Sequence, residues 1–343
     1  MIDFRYHLVS IVAVFLALAI GIVIGATALK PAVTSTLARE AKAEARRNKS
    51  LYAHNTQLKR EIAADESFAA AAEGRLLPGL LTGQSVVLVL APNTDSATVA
   101  GVTTALREAG ATLTGQVVLT SQFFDTTAAN EQTMAAAAKS LAPAGLVPPK
   151  STPDPQISGQ QAVAQVLAET IAARDGLATL TQAELNKVLA GFASGQYLQV
   201  KGASGSTRLN GQASLAVVMI PQTVPPAKVS DPFNRALVWL TQDLAETTRP
   251  TLMAGPLLGS GPRSAIEAVT SGSAGVALTT VDNAETKFGQ IIVAQALRKL
   301  LEPGTQPTAY GVRPGTVPSP APSPSVSPSS TPSSSSRPKK AVK

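Results

Sequence analysis

The hydrophobic pattern of the chain changes character three times. From Leu8 to Leu29 it runs 22 residues without a charge, with Ser10 and Thr27 as the only hydroxyls. At 1.5 Å per residue, a helix of that length covers the roughly 30 Å hydrocarbon core of a bilayer. Signal-peptide cores are shorter, about 7–15 residues, so length favours a retained transmembrane helix over 8–29 behind a short N-terminus, 1–7. The small-x-small stretch Ala26–Ala28 is of a kind that signal peptidase accepts, which leaves cleavage after Ala28 open.

Past Pro31 the pattern turns polar and helix-forming, with neither Gly nor Pro up to Glu73. This predicts a coiled-coil stalk over 31–73. One heptad register places Ala41, Asn48, Asn55 and Ile62 at a, with Leu37, Glu44, Leu51 and Leu58 at d. Asn at a costs stability but favours a parallel, two-stranded register. Glu44 interrupts the seam. Inside the apolar run, Ala17, Gly21 and Gly25 recur every four residues and share one helix face. Small residues at that spacing let two membrane helices approach closely. The two patterns together predict a parallel homodimer. Its membrane contact is expected at Ala17, Gly21 and Gly25, and its stalk contact at Leu37, Asn48, Leu51, Asn55, Leu58 and Ile62. The other reading of the stalk is a lone basic helix lying along the membrane surface.

From residue 83 the pattern is globular. The continuous apolar run at 85–92 reads as a strand buried on both faces, and 111–120 alternates or runs apolar into the next strand. The helix between them starts at the cap residue Asp95 and stops at Gly110. Two helices are expected in 160–193, split around Gly176. Strands at 213–221, 251–258 and 275–282 then alternate with helices at 234–248, 262–271 and 286–302. Such alternation implies an α/β domain over 83–311 with a Rossmann-like, doubly wound parallel sheet. From Val312 to Lys343 Pro and Ser take over, which predicts a disordered, solvated tail.

Composition adds two constraints. The 343 residues include no Cys, so disulfides and thiolate metal sites are excluded. The net charge of +7 is uneven: residues 1–60 hold nine Lys/Arg against three acids, and 313–343 hold five basic residues and no acid. The middle, 61–312, is mildly acidic, which argues against a nucleic-acid partner. Anionic lipid headgroups or wall polymers suit the basic ends. The charges after the apolar run would keep that side in the cytoplasm by the positive-inside rule. The Ser/Pro tail and the absence of Cys point outward instead.

Catalytic chemistry finds no constellation. The loop Gly255–Ala265 lies between a strand and a helix but lacks both the Gly-Lys-Ser/Thr of a Walker A loop and the third Gly of a dinucleotide fingerprint. Ser204 is not in Gly-x-Ser-x-Gly spacing. The only histidines are His7 and His54, far from it in sequence, which leaves a Ser–His–acid triad without a base. Met1, Met134, Met219 and Met253 form no Met-x-x-Met pair. Asp95, Asp125, Asp231, Asp243 and Asp282 fall at strand ends and turns, where capping explains them. No enzyme activity, catalytic residue or resident cofactor is expected, and no metal ligands can be assigned.

The opening "FRYHLVSIVAVFLALAIGIVIG", then "GQSVVLVLAP", "LTSQFFD" and "VDNAETKFGQIIVAQAL" resemble the MctB-like copper transport proteins of actinobacteria, relatives of a division-linked envelope protein, SteB. The resemblance covers residues 1–312, with Arg5, His7, Val9 and Ser10 in its most specific block. It implies a role in copper homeostasis or export, with copper as the transported ion. It also implies an N-terminus inside, and the stalk and domain outside, of a single-pass cell membrane protein, with an outer-envelope location as the family's description. The residues by themselves show no pore. They read equally as a dimeric scaffold that docks an envelope or division partner.

Overall fold

The computed structural model describes residues 4–143, 158–173, 179–203, 205–223, 225–248 and 250–320. Side chains of residues 4–5, 27–38 and 227–230 lie outside that description, as do Gly176, Ser204 and the tail from 321 onward. The chain divides into two units, Met1–Ser67 and Phe68–Lys343.

The first unit consists of helix α1, Phe4–Leu76, up to Ser67. The apolar run and the stalk are expected as two segments meeting at Pro31, but the helix passes through that residue without interruption. Tyr6–Ala26 is long and apolar enough to cross a membrane. Its large side chains are exposed along the whole span, from Leu8 at 54% to Ile24 at 61%. An apolar sleeve of this length has no counterpart in water and fits membrane association.

The second unit is an α/β fold with a seven-stranded sheet in the order β3-β2-β1-β4-β5-β6-β7. The strands are β1 Ser85–Leu90, β2 Thr112–Leu119, β3 Leu198–Gly202, β4 Leu215–Met219, β5 Thr251–Ala254, β6 Thr279–Val281 and β7 Ala309–Tyr310. All neighbours pair in parallel except β2 and β3, so the sheet is mixed rather than purely parallel. Edge strand β3 escapes a search for apolar runs because Gln199 and Lys201 face solvent between its half-buried positions. Strand β7, only two residues long, carries no period at all.

Alternation along β1 sends Val86, Leu88 and Leu90 to one face and Val87 and Val89 to the other. The first face packs against α2 Ser96–Glu108 and α8 Lys287–Leu300, together with Ala69 and Leu77 at the end of α1. The second packs against α3 Ala128–Leu141, α4 Gly159–Ile171, α5 Gln182–Ser194, α6 Ala227–Thr248 and α7 Ala265–Thr270. A sheet covered on both sides explains why its central strands read as unbroken apolar runs. The caps are local: Asp95, Ser158, Thr181, Ser264 and Thr286 each accept an N–H from the first turn of α2, α4, α5, α7 and α8 respectively.

The fold continues past residue 312, where composition alone places the start of the tail. Val317 donates its N–H to the Ala309 carbonyl at 2.9 Å, and Val312 and Arg313 donate theirs to the Asp282 carboxylate at 2.9 and 3.2 Å. Asp282 is fully buried. Gly311 sits at φ +140, and a Cβ there would fall 1.9 Å from Asp282 Oδ1. A buried carboxylate thus pins a strap, residues 309–317, across the end of β6.

Candidate functional site

The Gly255–Ala265 loop leaves β5 at the C-terminal edge of the sheet, where parallel α/β folds bind ligands. Its glycines serve packing. A Cβ at Gly255 would lie 2.2 Å from Ile220 Cγ1, and one at Gly259 would lie 2.0 Å from the Pro221 carbonyl oxygen. Several of its amides are already engaged. Gly255 N donates to the Val281 carbonyl at 2.9 Å, Ser260 N to the Pro256 carbonyl at 2.9 Å, and Leu257 N to the Glu285 carboxylate at 3.1 Å. An anion would have to displace that carboxylate. The Arg313 guanidinium, which could have met a phosphate, donates to the Ser260 carbonyl and the Glu267 carboxylate. The cavity beside the loop, lined by Ile220, Phe233, Asn234, Gly259 and Ser264, holds about 10 Å³. That is at the lower limit for one water, far from the size of a nucleotide.

The aspartates divide cleanly. Asp95 accepts from Thr98 N and Thr98 Oγ1 at 2.8 and 2.9 Å, and these bonds hold its pKa below the usual value. Asp125 closes a turn through Thr127 N at 3.0 Å, and Asp282 anchors the strap. Asp231 sits exposed in α6. Asp243 does not fit the capping explanation. It lies in mid-helix on α6, is 7% exposed, and has an unpartnered Oδ2. Burial, reinforced by Glu246 and by Glu169 of α4, pushes its pKa up to about 7.

Soft-metal donors stay apart. Met219 and Met253 stand on adjacent strands but face opposite layers of the core. Met134 receives the Asn130 Nδ2 at 3.3 Å inside the α3 packing. His7 and His54 both lie on α1, about 70 Å apart at 1.5 Å per residue. Among the described residues no group of three or more His, Cys, Asp or Glu is placed to hold a metal ion.

The expected dimer contacts all lie on α1. Ala17 and Gly21 are exposed, with nothing within 4 Å of a Cβ built at Gly21 or Gly25. Asn48 and Asn55 are exposed, as are Leu51 at 66%, Leu58 at 43% and Ile62 at 59%. The side chain of Leu37 lies outside the described residues. The helix does not bring the two sets onto one face. Because it is unbroken between them, they differ in phase by about 130–150° around its axis, whether it is straight or supercoiled.

Sequence reasoning missed several contacts that carry weight in the fold. Glu73, 6% exposed, pairs with Lys287 Nζ at 3.1 Å, joining the last turn of α1 to α8. Gly101 in mid-α2 makes room for the Gln290 amide, which a Cβ would meet at 2.1 Å. Neither has a local signature, since each is set by a partner nearly two hundred residues or more away. The strap had a local trace, the two glycines Gly311 and Gly315 in the short run after β7.

These features describe an α/β fold that follows a long apolar helix. The family model described as "Copper transport outer membrane protein, MctB" matches residues 1–320. The chain is 30% identical over 312 residues to proteins named Copper transporter MctB from Mycobacterium tuberculosis and Mycobacterium bovis, covering 89% of this chain and 94% of each relative. The Mycobacterium leprae protein of the same name is 30% identical over 321 residues, 92% of this chain and 98% of its own. With a family match that starts ahead of the apolar span and ends after the strap, this chain belongs to the MctB family.

Proposed function

We propose that this chain is a membrane-anchored envelope protein that serves copper transport and lowers intracellular copper, with copper as cargo. One observation carries the reading: the family match over residues 1–320, matched by 30% identity to the mycobacterial copper transporters along nine-tenths of the chain. The apolar sleeve of α1 supplies the anchor, and the α/β domain stands on the outer side. A spanning element must satisfy its own backbone, so a single helix encloses no ion path. The path is therefore completed by further copies or by an envelope partner. The chain works as a parallel homodimer joined along α1, and it takes no part in catalysis.

The test is the copper content of cells that lack the protein, grown at matched external copper. A several-fold rise, reversed by the intact chain, supports the reading. Normal copper in misshapen or unseparated cells overturns it and makes the anchored dimer a division scaffold.

A further inference from the structure

The stalk is built to receive a second copy of itself. Leu51, Leu58 and Ile62 share one exposed face of α1. Arg39, Lys42, Arg46, Lys49 and Arg60 take the b and f positions of the same heptad register, all on the opposite face and all exposed. Two parallel copies can therefore close the seam with most of the stalk's positive charge pointing away from it, while Arg47 at g and Lys59 at e flank it. Helical continuity then fixes what happens in the bilayer. Carried back through the unbroken helix, the register puts Val9, Ala13, Leu16, Ile20 and Val23 at a and d. Ala17 falls at e, Gly21 at b and Gly25 at f, the flank and the outside of the pair.

We propose that the two membrane segments meet along Leu16, Ile20 and Val23, in phase with the stalk seam, and that the Ala17–Gly21–Gly25 face turns outward to lipid. This rests on the homodimer of the proposed function and names its membrane contact. Pairing through Gly21 and Gly25 would need α1 to turn by more than a third of a revolution between bilayer and stalk. Pro31 takes one donor out of the ladder between bilayer and stalk, but the chain stays helical on both sides of it, so the whole turn would have to be made at that single residue.

The absence of cysteine makes the test direct. Single cysteines are placed in the full-length protein at 16, 20 and 23, at 17, 21 and 25, and in the stalk at 51 and 58. Iodine-catalysed disulfide formation is then measured in native membranes. The expected result is dimer at 51 and 58, with cross-linking at 16, 20 and 23 at least fivefold above that at 17, 21 and 25. Stalk cross-links accompanied by maxima at 17, 21 and 25 overturn the shared phase while leaving the dimer intact. No cross-link at either stalk position overturns the dimer itself, and this inference with it.

Discussion

At residue scale the fold depends on a few positions where only one side chain suits the place. Gly311 and Gly315 both hold positive φ, +140 and +87, yet only Gly311 is pressed against a buried carboxylate. Gly315 has open space around its missing Cβ. Gly315→Ala should therefore cost about 1 kcal/mol, the conformational cost alone. Gly311→Ala adds a clash that breaks the strap's bonds to Asp282, for a loss of about 2–4 kcal/mol. Denaturant unfolding of the two variants measures the difference, and equal costs would remove the strap from the stability of the domain. Asp243 is the opposite case, a buried carboxylate that the place suits poorly once it is charged. Its folded pKa, about 7, lies above the ordinary 3.8, so the fold favours the protonated form. That contribution is complete below pH 4 and is lost as pH rises toward 7, for a total on the order of 4 kcal/mol at most. Asp243→Asn keeps the shape without the charge. It should raise the melting temperature at pH 8 by several degrees and leave it unchanged at pH 4. The same shift at both pH values would show that Asp243 does not titrate in this range.

Elements differ in how much of themselves they write into the sequence, and the reason is where their partners lie. Strands β1 and β4 are buried on both faces and announce themselves as apolar runs, while β2 shows its apolar run only at Val117–Leu119. Helices α2 and α8 carry caps and spacing within a dozen residues. Helix α3 is all polar residues and alanine apart from Met134 and Leu141, so its period is faint although Met134 and Ala138 are buried. Its inner face is defined by α4, where Gly159 packs against the Glu131 carbonyl. The glycine loop after β5 looked like a cradle because glycine is read locally, and the side chain that excludes a Cβ there, Ile220, is on another strand. Helix α1 shows the same limit. Each of its two dimer patterns is legible alone, but their relative phase depends on whether the chain stays helical through Pro31. With one shared seam, Leu51→Asp, Leu58→Asp and Ile62→Asp combined should weaken the full-length dimer in detergent at least tenfold, with helicity retained. Gly21→Ile with Gly25→Ile should leave it unchanged. Sedimentation equilibrium measures both, and the reverse pattern would make the membrane glycines the true contact.

For the whole molecule, the question is how a chain with one candidate span among its described residues serves ion transport. At the ends of β5 and β6 the sheet's C-terminal edge, the usual site for a ligand in this architecture, is occupied by the chain's own loop and strap. No cluster of metal ligands stands among the described residues. On the proposed reading, what this chain offers to a transport path is position and number: an anchor, a pairing seam, and a domain carried with them. If copper leaves the cell along a path that needs two copies, the triple Asp variant of the stalk should reach the membrane at normal abundance yet fail to lower copper in cells lacking the parent protein. The intact chain and the Gly21→Ile, Gly25→Ile variant should both restore low copper. Cell-associated copper, measured against membrane abundance of each variant, decides the matter. Full rescue by the stalk variant would mean that one copy suffices, and that the path is built by a different protein for which this chain is the membrane-held partner.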